Sequence, residues 1–221
     1  MIAPFVDALA ENPIGLEAEY WVLQTACRAA AQWQERGLGS LRVGINLFPA
    51  QAHDANLLGE VETVVKESGL PGNMLVLEIT ETIAFRHDAI GHDAATMATL
   101  QALRAKGVGL AFDDFGTGYA SLSYLTKYPL TRVKFDRTFV RNIAKRCPQK
   151  ATAVVRSMIV LARNLGLDVI AERVDTQDQA AFLQARRCDE VQRHLYAVPL
   201  CERDFEMFVR DRMLKPRRAV H

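Results

Sequence analysis

Residues 108–125 read VGLAFDDFGTGYASLSYL, and the fold is decided by how this stretch is read. Val108 to Phe112 is a short, partly β-branched apolar run, the pattern of a buried strand. Asp113 and Asp114 follow it. Then come Phe115 and a Gly-Thr-Gly turn at 116–118. Tyr119, Leu122 and Leu125 recur at helical spacing. Two carboxylates at the end of a buried strand repel each other and lose hydration. They stay ionised only beside a compensating cation. A divalent metal held by oxygen ligands is the economical reading. The glycines let the next loop turn tightly and approach a ligand closely. The plainer alternative is an Asp pair that caps the following helix.

Working outward, strands and helices alternate. The pattern predicts a helix over 16–36, a strand over 41–47, a helix over 56–68 and a strand over 74–79. A polar loop over 84–92 carries His87 and His92, and a helix over 94–106 ends at Gly107. After the opening stretch come a strand over 132–135, a helix over 151–165 and a strand over 167–171. A helix over 177–186, a very short strand over 190–192 and a helix over 202–213 complete the chain. Alternation of this kind means parallel strands joined by helical crossovers, in a closed β/α barrel or an open doubly wound sheet. The 221 residues are 49% hydrophobic, which suits a single domain over 1–221 with one large core. No low-complexity linker divides it.

The net charge of +1 gives no global field toward a nucleic acid polymer or an anionic membrane. Cys27, Cys147, Cys188 and Cys201 form no C-x-x-C pair and read as reduced thiols. No apolar run is long enough to span a bilayer, and no secretory signal is read at the start. The expectation is a cytoplasmic domain without membrane contact of its own.

Each strand delivers a polar residue near its C-terminal end. Asn46 follows VGI, Glu78 follows LVL, Asp113 follows LAF, Lys134 follows RV, Glu172 follows VIA, and Gln192 follows Val191. Six strands donating such residues at one end describe the catalytic face of a β/α barrel. An open sheet concentrates its site at a switch point, and no glycine-rich dinucleotide fingerprint follows a first strand. Each residue also has a structural reading: Asn46 in a turn, Glu78 and Glu81 as caps, Lys134 paired with Asp136, Glu172 at a helix dipole. Together they are far more specific than singly. Glu78, Asp113, Asp114 and Glu172, with the Asn46 amide, offer enough hard oxygen ligands for two divalent ions. Two metals about 3.5–4 Å apart assist phosphoryl transfer, and Lys134 at the same face would orient water or offset charge at phosphorus. Zinc is disfavoured because no His or Cys ends a strand.

The segments INLFPAQ, LEITET, FDDFGTGYASLSYL, VKFDRTFV and VIAERVDT, with Pro199–Leu200, resemble the EAL family. These are bacterial domains that hydrolyse cyclic di-GMP to linear pGpG with Mg²⁺ or Mn²⁺. The resemblance implies a TIM-like β/α barrel and a two-metal site. It implies that Asn46, Glu78, Asp113 and Glu172 are metal ligands, that Asp114 serves the second metal and that Lys134 contacts the attacking water. It also implies that Glu81 supports the loop after Asp114 and that Gln192 lies near the site.

Three departures stand out. The E-A-L segment, with its metal-binding Glu on the first strand, has no counterpart, so the domain is expected to be N-terminally incomplete relative to the family. The usual E-G-V-E is Glu172-Arg173-Val174-Asp175, and the usual Q-G-[YF] is Gln192-Arg193-His194. Arg173 and Arg193 would either obstruct the dinucleotide or bind its phosphates. Asp175 would replace the missing Glu if the segment after Glu172 begins a helix. Two readings follow: a cyclic di-GMP phosphodiesterase with impaired turnover, or a catalytically inactive cyclic di-GMP-binding or regulatory module. A third, weaker one is a metal phosphohydrolase for another nucleotide. The resemblance further implies an upstream sensory or GGDEF domain in a longer parent protein. A barrel without its first strand leaves two open edges, to be covered by another segment or by a second copy in a homodimer.

Overall fold

The computed structural model describes residues 14–80, 93–116, 122–141, 143, 149–192 and 198–214. Apolar periodicity in the first of these produces α1 (Ile14–Glu35), whose Leu23, Cys27, Ala30 and Ala31 are buried. Then follow β1 (Val43–Asn46), a short α2 (Pro49–Ala52) and α3 (Leu57–Ser68). Gly69 caps α3 in the left-handed region, φ 71°, and Pro71 blocks any continuation. β2 (Leu75–Ile79), α4 (Asp93–Ala105) and β3 (Gly109–Phe115) come next, then α5 (Leu122–Lys127) and β4 (Arg132–Phe135). The chain continues through α6 (Arg137–Arg141), α7 (Gln149–Asn164), β5 (Asp168–Glu172), α8 (Gln177–Ala185), β6 (Glu190–Gln192) and α9 (Glu202–Leu214). The short helices α2 and α6 were not anticipated from periodicity.

The six strands form one parallel sheet in sequence order, β1 to β6. The open doubly wound alternative requires the order to reverse at a switch point, and here it never does. Arg42, just before β1, pairs with Glu190 at the start of β6. The two outer strands therefore approach each other, and the sheet curls into part of a barrel with helices outside.

Strand periodicity sorts the side chains. Leu75, Leu77 and Ile79 of β2, Leu110 and Phe112 of β3, and Val133 and Phe135 of β4 are at most 1% exposed. They form the packed layer shared with the helices. The alternate positions face the barrel axis. In register across the sheet, Asn46 pairs with Glu78, Glu78 with Ala111, and Glu172 with Gln192. Near the N-terminal ends of the strands, buried Arg132 meets Asp168 at 3.2 Å and Glu190 at 4.0 Å. Lys134, two residues further along the same strand, starts a second ionic layer at the C-terminal ends.

Candidate metal and phosphodiester site

Adjacent residues of a regular strand face opposite sides of the sheet, so Asp113 and Asp114 should diverge. Between Phe112 and Phe115, however, β3 runs three steps while β4 runs two, Val133 to Phe135. This β-bulge breaks the alternation, as bulges beside functional sites commonly do. Asp114 absorbs it in the left-handed region, φ 51°, and its N–H donates to Asp113 Oδ1 at 2.9 Å. Asp113, Asp114 and Glu172 then each present an oxygen within 4.8 Å of the others. Gly116, φ 96°, ends the bulge. A Cβ there would lie 2.6 Å from the Phe139 ring, so both backbone and packing require glycine.

Lys134 is 4% exposed and stands at the centre. Its Nζ lies 2.6 Å from Glu78 Oε2, 3.0 Å from Asp113 Oδ1 and 2.7 Å from Glu172 Oε1. Glu78 reaches back over β1, where a Cβ on Gly44 would come within 2.5 Å of its Oε1. Glu78, Asp113, Glu172 and Lys134, delivered by four adjacent strands, are thus brought together. Asn46 sits at the end of β1 opposite Glu78, and Gln192 at the end of β6 opposite Glu172.

The charges do not balance within this cluster. Burial pushes the carboxyls of Glu78, Glu172 and Asp114 above their ordinary values. Lys134 lowers all three, and the neighbouring carboxylates raise them again. For Lys134, burial opposes the charge, but Glu78 and Asp113 overcome it and the ammonium is held above its usual value. The donor set is all oxygen, partly buried and richer in negative charge than Lys134 can match. It fits a hard divalent cation. Burial raises the Cys27 and Cys188 thiols to about 11, which makes them poor nucleophiles.

Asp175 is exposed in the loop between β5 and α8. The helix starts only at Gln177, after the Thr176 cap, so Glu172 and Asp175 do not share a helical face. Arg173 is exposed beside Glu172 with φ 47°. Glu81 and Arg193 lie outside the described residues, as do His87, His92 and Cys147. Sequence reasoning missed Asp136. It is buried at the end of β4, accepts the Thr138 N–H at 2.8 Å, and raises the Asp114 carboxyl further. Its position right after the VKF run was the available signal.

The family model described as the EAL domain matches residues 2–199. The cyclic di-GMP phosphodiesterase NbdA of Pseudomonas aeruginosa is 36% identical over 207 residues, 93% of this chain and 25% of NbdA. The chain spans about a quarter of the length of the curated relatives it matches first, 24% and 25%. Among solved structures, the PaMucR phosphodiesterase in complex with c-di-GMP superposes with a TM-score of 0.77 at 33% identity, covering 87% of this chain and 75% of that one. The EAL domain of Mycobacterium smegmatis DcpA gives 0.78 at 34% identity, covering 86% and 83%. With its curled parallel sheet and its acidic strand ends, this chain belongs to the EAL domain family.

Proposed function

We propose that this domain binds cyclic di-GMP over the carboxylate cluster and hydrolyses it to linear pGpG, with reduced turnover. The observation that carries this reading is the convergence of Glu78, Asp113 and Glu172 on Lys134, with Asp114 beside them. Asn46, Glu78, Asp113, Asp114 and Glu172 would hold Mg²⁺ or Mn²⁺. When bound, such ions activate water and offset charge on the reacting phosphate. The product pGpG keeps its phosphate on the 5′ oxygen, so the bond that breaks is P–O3′. Water gives its oxygen to phosphorus and a proton to O3′. Lys134 is held protonated, so it serves as a fixed cation at this face and not as a base. Gln192 at the end of β6 and Arg173 and Asp175 in the loop after β5 would contact the substrate. Glu81 would keep the loop-supporting role that the family pattern implies, and Arg193, where the family has glycine, would lie against the substrate phosphates.

Reduced turnover would follow from Glu172-Arg173-Val174-Asp175 standing where the family has E-G-V-E, since a two-metal reaction needs both ions placed together. A binding or regulatory module without turnover is the second reading. It is favoured by Arg173, which puts a large side chain next to Glu172. An upstream sensory or GGDEF domain, a homodimer and a cytoplasmic setting belong to the same proposal. Among the described residues no helix is long and apolar enough to cross a membrane.

The test is a hydrolysis assay with cyclic di-GMP in Mg²⁺ and in Mn²⁺, run beside a binding titration, with Asp113→Asn as control. Slow formation of pGpG that Asp113→Asn abolishes is expected. Binding without turnover selects the regulatory reading, and neither binding nor turnover overturns both.

A further inference from the structure

An ammonium has three N–H donors, and Lys134 has three carboxylate partners within 3.0 Å. It is buried and fully engaged, so it offers no free donor to an incoming phosphate. The surrounding carboxylates would repel a phosphodiester. Metal ions held among these carboxylates would meet a phosphate from within the cluster, and a cation at the mouth of the site would grip it from outside.

Arg173 stands there. It directly follows Glu172, whose carboxylate belongs to the same group as Asp113 and Asp114. It is exposed, and its charge is felt at Asp114. Its backbone is in the left-handed region, which a non-glycine residue adopts only under constraint. The constraint is visible one step further on. The N–H groups of Asp175 and Thr176 donate to Gln179 Oε1 at 2.8 and 3.0 Å, and Gln179 Nε2 donates to the Val140 carbonyl at 3.1 Å. Buried Val174 lies between. The loop is held at Val174, whose N–H donates to the Gln192 carbonyl at 3.3 Å, and just after it by Gln179, and Arg173 takes the bend.

We infer that Arg173 is a ligand-anchoring residue: its guanidinium receives a phosphate of the bound phosphodiester at the edge of the carboxylate cluster, a role that Lys134 cannot fill. A planar guanidinium suits this task because it binds phosphate through two parallel N–H bonds. This rests on the proposed action on a cyclic dinucleotide and names the residue that would grip it.

The experiment compares the parent chain with Arg173→Ala, Arg173→Lys and Arg173→Gly. One measurement is the Kd for cyclic di-GMP in buffer containing Ca²⁺. The other is the KM for bis(p-nitrophenyl) phosphate with Mn²⁺, and thermal unfolding checks that each variant is folded. Arg173→Ala should weaken cyclic di-GMP binding by about 10- to 100-fold, the scale of a lost charge-assisted hydrogen bond. Arg173→Lys should recover part of the loss. Arg173→Gly, which relieves the backbone, should bind as weakly as Arg173→Ala. Unchanged or tighter binding by the Ala and Gly variants overturns the proposal, and tighter binding identifies Arg173 as an obstruction. If the parent ignores cyclic di-GMP but the variants raise KM for the simple diester, the anchor stands and the cyclic dinucleotide reading falls. If the parent takes neither ligand, both fall.

Discussion

Lys134 is buried among three carboxylates, and its removal leaves them facing one another. Taking one partner out of a buried ion pair typically costs about 3–5 kcal/mol. Glu78, Asp113 and Glu172 keep 13–16% of their side-chain surface, so the lower end applies. Lys134→Met should therefore lower the unfolding free energy of the metal-free protein by about 3 kcal/mol at pH 8. The loss should shrink as pH falls, because burial raises Glu78 and Glu172 and they take up protons instead. Urea unfolding of both chains from pH 8 downward checks this, and an equal loss throughout would contradict it. At this scale the sequence was informative for a physical reason. Lys134 sits between Val133 and Phe135 in a short strand, and a charge between apolar neighbours must be exposed or matched. Asp136 carried the same signal and went unread, because a carboxylate after a strand is more commonly a turn residue. Here its Oδ1 does accept the Thr138 N–H of such a turn, yet it is also buried close enough to Asp114 to repel it.

Among the elements, the strands were legible because strands covered by helices read as continuous apolar runs. Arg132–Phe135 and Glu190–Gln192 have the bounds that the sequence suggests. The bulge in β3 was not legible. It is a mismatch between two strands, three steps against two, and appears only when β4 is laid beside β3. Yet the bulge is what turns two neighbouring aspartates into one acidic site. The loop after β5 shows the same division. Thr176 and Gln179 form a T-x-x-Q capping box that could be read from the sequence. The bond from Gln179 to the Val140 carbonyl in α6 could not, since it spans 39 residues. Gln179→Leu would orphan the N–H groups of Asp175 and Thr176 and the carbonyl of Val140. Unsatisfied groups of this kind cost about 1–3 kcal/mol each when buried, and the exposed Asp175 and Thr176 can recruit water. The expected loss of stability is about 2 kcal/mol, with faster amide exchange at Asp175 and Thr176 while β2 and β3 stay protected. Uniform exchange across the sheet would instead mean global loosening and refute a local role.

The whole molecule carries more acidic groups with raised values than these two scales reveal. Besides Glu78, Glu172 and Asp114, burial lifts the α1 residue Glu19 to about 7, and its Oε2 is buried without a hydrogen-bond partner. In each case the folded state holds its proton at a pH where the unfolded chain has released it. The native form therefore binds more protons, and stability must fall as pH rises. The contribution is fully present below the ordinary carboxylate range and is lost as pH climbs through the raised values, for Glu19 through about 7. Lys134, raised as well, keeps its contribution throughout this window because its unfolded value is already 10.5. A divalent ion reverses the site's part of the trend, since it binds the ionised carboxylates and only the folded state assembles them. Thermal unfolding in EDTA should then show a Tm that declines from pH 5 to pH 8. Added Mg²⁺ or Mn²⁺ should raise Tm strongly at pH 8 and little at pH 5, and Asp113→Asn should abolish that gain. Glu19→Gln lies outside the cluster, so it should flatten the decline near pH 7 without changing the response to metal. A Tm that rises with pH in EDTA would show that the carboxylates are already compensated in the folded protein. The excess negative charge that marks this cluster as a cation site would then not exist.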